Sequence, residues 1–418
     1  MDFDVVVVGA GLAGLRCADV LHRSGLSVVV LDAADAVGGR IRTDRVDGYL
    51  CDRGFQLLNP AYPAVRRLVD LGRLGMQTFG SGVACRRDTG LRVVADPRRS
   101  PGRLPATLRS GLLDAREVAA LLRWIGPTAA RPRHAQAHDD GATLSESFEA
   151  AGVRGRLRTE VLEPFLAGVL ADASGETSAG FVKLLVRSFL LGTPGLPRDG
   201  MQALPEQLAE PLRHRLRLGV RVGHVEDGAD RVTVRSDADV LSARAAVVAV
   251  GAEASGALTG QPAPTTHALT TWWFAAAEAP YSQKLVTVDG RGSGRRPPGP
   301  VQHAAVVSNA APSYAPLGRH LVEATCLPGR GGDAAGDEVA VRQHLAELWG
   351  QPTRDWDLLV RHEITHALPF QPAPLRIAAP ARVGERVYAA GDHRDTASIQ
   401  GALVSGERVA RAVLAGLG

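Results

Sequence analysis

VVVVGAGLAGLRCADVLHRSGLSVVVLDAADAVGGR, running from Val5 to Arg40, decides the fold. Four successive valines are too stiff at χ1 for a good helix start and too few for a membrane span, so Val5 to Val8 read as a buried parallel strand. Gly9, Gly11 and Gly14 follow where that strand must turn. In a dinucleotide-binding unit the first glycine makes the turn, the second lets the backbone approach a pyrophosphate, and the third lets the helix pack on the strand. Leu12, Leu15, Ala18 and Leu21 mark one face of a helix, Gly25 stops it, and Val28 to Leu31 form a second strand. Asp32 stands at its tip, about 20 residues beyond the glycines, where an acidic side chain accepts the hydroxyls of an adenosine ribose.

Gly38, Gly39 and Arg40 come next. A glycine pair followed by arginine so soon after the acidic residue resembles the flavoprotein form of the unit, as in the amine oxidase, phytoene desaturase and protoporphyrinogen oxidase superfamily. The resemblance implies non-covalent FAD, with Arg40 against its diphosphate or flavin part. It continues in DGYLCDRGFQ, where Asp52, Gly54, Phe55 and Gln56 resemble the D-x-G segment beside the isoalloxazine ring. Gly200-Met201 with Leu204-Pro205 resembles the element that returns the chain to the FAD domain, and by the same resemblance the backbone of Val222 meets the adenine. In RVYAAGDHRDTASIQGALVSG a strand, Val387 to Ala390, ends in Gly391-Asp392, and a helix begins near Ser398 and Ile399. The resemblance puts Asp392 near the ribityl-pyrophosphate and the helix N-terminus at the flavin pyrimidine, where its dipole favours the negative charge of the reduced ring. The cofactor wall it implies comprises Gly9, Gly11, Leu12, Ala13, Gly14, Asp32, Ala33, Gly38, Gly39, Arg40, Gly54, Phe55, Gln56, Val222, Gly251, Gly391, Asp392, Ile399, Gln400 and Ala402.

The 418 residues suffice for two or three domains, and 45% hydrophobic content for sizeable cores. The formal charge of +4 is carried almost wholly by arginine, since lysine occurs only at Lys183 and Lys284. No basic run is interleaved with stacking aromatics, which argues against a nucleic-acid partner. Cys17, Cys51, Cys85 and Cys326 lie far apart without a C-x-x-C pair, giving neither a zinc ribbon nor a redox dithiol. Asp2 and Asp4 precede the apolar start where a signal peptide would carry basic residues, and no stretch reaches the roughly 18 apolar residues of a membrane span. A cytoplasmic protein is expected. Contact with a membrane surface stays open through GFVKLLVRSFLL, Gly180 to Leu191, an apolar helix with Lys183 and Arg187 on one side; a core helix of a substrate domain is the favoured alternative.

Residues Leu104 to Leu191 read as mainly helical, interrupted by a polar loop at Arg131 to Gly141 whose His134 and His138 have the spacing of a metal pair but the neighbours of a solvated loop. Leu218 to Val225, Val232 to Arg235 and Ala246 to Val250 read as strands, with a turn at Asp227-Gly228. Four more are expected between His267 and Leu327, with an exposed loop at Gly290 to Pro300 and a helix over Asp337 to Trp349. HEITH, His362 to His366, matches a zinc-protease motif letter for letter. Its apolar flanks and following prolines make it a strand instead, on which the imidazoles stand roughly 13 Å apart, too far to share one zinc. No metal site is expected. His366 and Trp272 are the candidates for facing substrate.

The expected class is α/β: a glutathione-reductase-type FAD/NAD(P)-binding Rossmann fold built from residues 1–98, 196–260 and 382–418, with an α+β substrate domain from 99–195 and 261–381. The resemblance implies an oxidoreductase that moves hydride from a C–H or C–N bond of a small, largely apolar substrate to flavin. Gly251 follows a strand alone, with no second glycine fingerprint for a nicotinamide, so oxygen or a quinone is the expected acceptor. Several departures weigh against a simple primary amine: Ser398 stands where the amine oxidases carry an aromatic residue, their lysine near flavin N5 falls close to Trp272, and GALVSG at Gly401 to Gly406 resembles the desaturases. Amine oxidation remains an alternative, as do a non-redox FAD-dependent isomerase or cyclase and a non-enzymatic carrier.

Overall fold

The computed structural model describes residues 1–418 except 138–139, 293–294, 296 and 330–336. Val5 to Val8 are buried on both faces, which is where an unbroken β-branched run is stable as a strand. Their strand, Phe3–Val8, lies between Val28–Asp32 and Val240–Val248 and pairs in parallel with both. Leu216–Leu218 extends the sheet on one side; Val232–Ser236 and Val222–Asp227 extend it as an antiparallel pair on the other. Val387–Ala389 joins the end of Val240–Val248 in parallel, which places the C-terminal motif beside the N-terminal one.

Close packing explains the glycines at this junction. A Cβ on Gly9, where φ is +109°, would stand 2.5 Å from the Ala249 carbonyl oxygen, and one on Gly14 would stand 1.9 Å from the Gly9 carbonyl oxygen. The helix Leu12–Arg23 therefore rests directly on the strand it follows, and the C-terminal helix Ile399–Leu417 packs against it in one core with Val5, Val7, Leu15 and Val409.

A second sheet runs in the order Asp357–Pro369, Thr266–Ala276, His320–Cys326, Val301–Val306, Val286–Asp289, Gly82–Arg87, Gly90–Ala95. Helix Glu338–Trp349 covers one face, over Trp272, Phe274, Trp349 and Trp356. The other face, with Trp273, Ala305 and Leu321, shares a core with Leu12, Ile41 and Leu403 of the first unit. Helices Ala115–Ala130, Leu144–Ala151, Glu163–Leu170 and Ala179–Leu191 form an apolar cluster around Trp124, Phe148 and Phe181.

Three expectations are corrected. The loop over Arg131 to Gly141 contains a short helix, Pro132–Ala137, since Pro132 suits a first helical turn; His138 lies outside the described residues, as do parts of Gly290 to Pro300. The strand drawn from Leu218 to Val225 is two, broken where Gly219 turns with φ +70°. The hairpin Gly82–Arg87 and Gly90–Ala95 falls within 1–98, yet it pairs with Val286–Asp289 and buries Cys85 against Val288. Sheet membership thus divides the chain near Gly80 rather than at residue 98.

Candidate active site

A cavity of about 1030 Å³ runs from the tip of the first sheet into the helical cluster. At one end, Asp32 sits where its strand stops, with Oδ2 accepting from the Ala10 N–H at 2.5 Å and Oδ1 from the Ala34 N–H at 2.8 Å. Ala33, Val222 and Gly251 line this end with it. Next come Gly9, Gly11, Leu12 and Ala13, then Gly38, Gly39 and Arg40. Nothing lies within 4 Å of the place a Cβ on Gly11 would occupy, in contrast to the crowding at Gly9 and Gly14. The backbone at Gly11 therefore faces open cavity at the N-terminus of Leu12–Arg23, whose first turn carries no acidic side chain. That is a cradle for a pyrophosphate, and it fits the group the sequence implies.

Arg40 ties the two halves of the site. Its Nη2 lies 2.5 Å from Asp392 Oδ1 and its Nη1 donates to the Ala367 carbonyl at 2.9 Å. Gly391 donates its N–H to Ser405 Oγ at 3.1 Å, and Ser398 caps Ile399–Leu417 by accepting from the Gly401 N–H at 3.0 Å. Ser398, Ile399 and Ala402 face the cavity, opposite Gly54, Phe55 and Gln56. The positive end of the C-terminal helix dipole is thus directed at the region where a flavin ring would carry charge.

Beyond Phe55 the walls turn apolar, with Leu121, Ile125, Phe148, Phe165, Phe181 and Phe189 among them. Asp96, Arg99 and His303 are ionisable side chains that line the cavity beside these walls, Asp96 being paired with Arg98, Nη2 to Oδ2 at 2.7 Å. Arg99 is spent on the Phe189 and Leu190 carbonyls and on Thr193 Oγ1. His303 is buried, its ring centroid 5.5 Å from that of Phe55, and burial pushes its imidazole down to about 4. It is neutral at pH 7.

Four expected site residues fall outside the cavity wall. Gly14 serves packing, as its contact with Gly9 shows. Gln400 points away, its Oε1 accepting from the Ala64 N–H at 2.8 Å. Trp272 does not line the cavity: strand alternation sends it to the opposite face, under helix Glu338–Trp349. His366 does not either; it is exposed, and its Nδ1 lies 2.7 Å from Thr266 Oγ1. His362 pairs instead with Asp44, Nε2 to Oδ2 at 2.9 Å, on the same continuous strand Asp357–Pro369, so HEITH brings no two imidazoles together. Among the described residues no group of three His, Cys, Asp or Glu could hold a metal.

Asp52 is a structural tie. Its carboxyl accepts from Thr43 Oγ1 at 2.5 Å, the Met201 N–H at 3.1 Å and Tyr314 Oη at 2.9 Å, which explains why the Gly200-Met201 element returns to this place. Burial, opposed by those three bonds, raises it to about 6. Arg53, Arg221, Glu253 and His303 also line the cavity, and sequence reasoning missed them. Only Glu253, two residues after Gly251 in the first turn of helix Ala252–Thr259, carried a local signal.

The family model for flavin containing amine oxidoreductase matches residues 12–414. A putative flavin-containing monoamine oxidase of Mycobacterium tuberculosis is 30% identical over 268 residues, 59% of this chain and 56% of the relative. The chloroplastic protoporphyrinogen oxidase of Nicotiana tabacum is 26% identical over 279 residues, 58% and 49% of the two chains. These alignments span about half the length of each relative. In three dimensions an oxidoreductase from Methanosarcina mazei superposes with a TM-score of 0.75 at 17% identity, covering 97% of this chain and 99% of the other.

Proposed function

The chain belongs to the flavin-containing amine oxidoreductase family, FAD is the cofactor its cleft is built for, and on that premise we propose that it oxidises a C–C or C–N bond of a small, largely apolar substrate by removing hydride from the adjoining C–H. The observation that carries the substrate class is the chamber beyond Phe55, walled by leucines and phenylalanines, whose carboxylate Asp96 is already paired with Arg98 at 2.7 Å and so is not free to hold a cationic group. Bound FAD supplies the two-electron acceptor. The chain's own residues do the rest. Asp32 accepts the ribose hydroxyls, the Gly11 and Leu12 backbone faces the diphosphate, and Arg40, held by Asp392, brings positive charge to the same region. The N-terminus of Ile399–Leu417 favours charge on the reduced ring, and the apolar walls keep water from the bond that breaks.

The four cysteines are buried free thiols and none lines the cavity, which supports non-covalent FAD. Gly251 opens onto this same cavity rather than a second one, which supports oxygen or a quinone as acceptor over a nicotinamide. No helix among the described residues is long and apolar enough to cross a membrane. Leu122 is exposed at 66% yet also lines the chamber, so the cavity has an apolar rim that suits a substrate taken from a lipid surface. Oxidation of a monoamine with an apolar body is the second reading, supported by the family and by the amine oxidase relative. The complete pyrophosphate cradle counts against a carrier.

The test is anaerobic mixing of the FAD-loaded protein with apolar monoamines, polyenes, tetrapyrrole precursors and short diamines, followed at the flavin absorbance. Bleaching by one apolar class supports the proposal. Bleaching by diamines alone contradicts it.

A further inference from the structure

Four polar side chains lie in register across the chamber-side face of the second sheet. His303 opposes Thr325, Thr325 opposes Thr271, and Thr271 opposes His362, each on a neighbouring strand. Directly opposed residues have Cβ atoms about 4.5–5.5 Å apart, so the row covers three inter-strand steps, roughly 15 Å. One end is in the cavity at His303. At the other, His362 meets Asp44, whose side chain is 31% exposed. Glu323 joins the row by accepting the Thr325 hydroxyl, and it is completely buried.

The row is full of unspent polar atoms. His303 Nε2, Thr271 Oγ1, Glu323 Oε2, Trp273 Nε1 and His362 Nδ1 are all buried without a protein partner. Trp273 opposes Glu323 directly, so the five belong to one patch. A folded chain seldom leaves a buried polar atom unpaired, and five together mark a place where interior water makes the missing bonds.

Hydride removal creates the need for such a path. When a C–C bond is oxidised to a double bond, loss of hydride to FAD is accompanied by loss of a proton from the neighbouring carbon, and with Asp96 paired to Arg98 and Arg99 spent on the Phe189 and Leu190 carbonyls, His303 is the group in these walls that can take it. We propose that His303, Thr325, Glu323, Thr271 and His362 hold a file of buried water that carries the substrate proton from the chamber to solvent at Asp44. The step balances: the substrate C–H pair of electrons leaves with hydrogen to FAD, the second hydrogen leaves as H⁺ to His303 and the water behind it, and the substrate is oxidised by two electrons. His303 and Glu323 have no charged group among the influences on them, only burial and, for Glu323, the Thr325 hydroxyl; Asp44 and Arg53 act on His362. Burial keeps His303 unprotonated and Glu323 protonated, so the file is uncharged at rest. Thr271, Thr325, Glu323 and His362 are positioning residues, since they act through His303.

The inference rests on the redox reading above, and two measurements separate their failures. A crystal structure of the full FAD-loaded chain at a resolution that shows water is expected to place ordered waters on His303 Nε2, Thr271 Oγ1 and Glu323 Oε2; a dry patch there overturns the proposal whatever the enzyme oxidises. Thr271→Val keeps the branched shape and removes the hydroxyl. With the compound that bleaches the flavin, it is expected to slow flavin reduction at least 10-fold, enlarge the solvent isotope effect and shift the pH profile, with thermal midpoint and FAD affinity preserved. An unchanged rate and isotope effect in a folded variant overturns it.

Discussion

Replacing Asp32 by alanine removes the charge that closes the adenosine end of the cleft. In the structure its two oxygens accept the Ala10 and Ala34 N–H groups, so the carboxylate shapes the Gly9 to Gly11 turn and keeps further lone pairs for the proposed ribose contact. A hydrogen bond to a charged group is worth about 1.5–3 kcal/mol. Losing one such bond to the ribose weakens FAD binding by about 10- to 140-fold, at about 1.4 kcal/mol per tenfold. Releasing the two tethers adds a loss of stability in the apoprotein. Titrating apoprotein with FAD by quenching of flavin fluorescence measures the first effect, and thermal unfolding without FAD measures the second. Asp32→Asn should lie between, because its amide oxygen retains a tether without the charge. An FAD Kd within twofold of wild type for Asp32→Ala would refute the assignment, and a fall in Tm alone would make Asp32 only a loop tether.

Asp52 supplies a pH test. Its folded-state value of about 6 lies above the ordinary 3.8, so the folded state binds the proton more tightly; its stabilising effect is full below about pH 4 and is lost as pH rises through 6. That component is about 3 kcal/mol, and Asp52→Asn should remove it, flattening the unfolding midpoint measured between pH 4 and 7. A Cβ on Gly168 would stand 2.0 Å from His303 Nδ1, so Gly168→Ala should displace the imidazole and slow flavin reduction without weakening FAD binding; equal rates in stopped-flow would refute that placement. A Cβ on Gly406 would stand 2.2 Å from the Ala13 carbonyl oxygen, so Gly406→Ala should force the C-terminal helix off Leu12–Arg23 and lower stability by about 1–3 kcal/mol in denaturant unfolding.

The cofactor end was legible in the sequence because its chemistry is local. A turn, a close backbone approach and a ribose acceptor each need one residue type at a fixed offset, and Gly9, Gly11 and Asp32 stand at those offsets in the cavity wall. Gly14 and Gln400 show the limit: both stand in the right motifs, but one packs on Gly9 and the other holds Ala64. The substrate end was not legible. Its walls come from separate helices and strands, and whether Trp272 or Trp273 faces inward depends on the register with Glu323 and Arg361, which no short spacing reveals. His303 is one histidine in an apolar strand until Thr325, Thr271 and His362 are seen beside it. The hairpin at Gly82 to Ala95 was misassigned for the same reason, since its partner strand lies two hundred residues on.

The most direct measurement is the visible absorption spectrum of the purified protein, before and after acid precipitation and then during anaerobic reduction. The account predicts a yellow protein that releases intact FAD into the acid supernatant, regains it on reconstitution, and bleaches with an apolar substrate. A colourless protein that takes up no FAD at any concentration would contradict it.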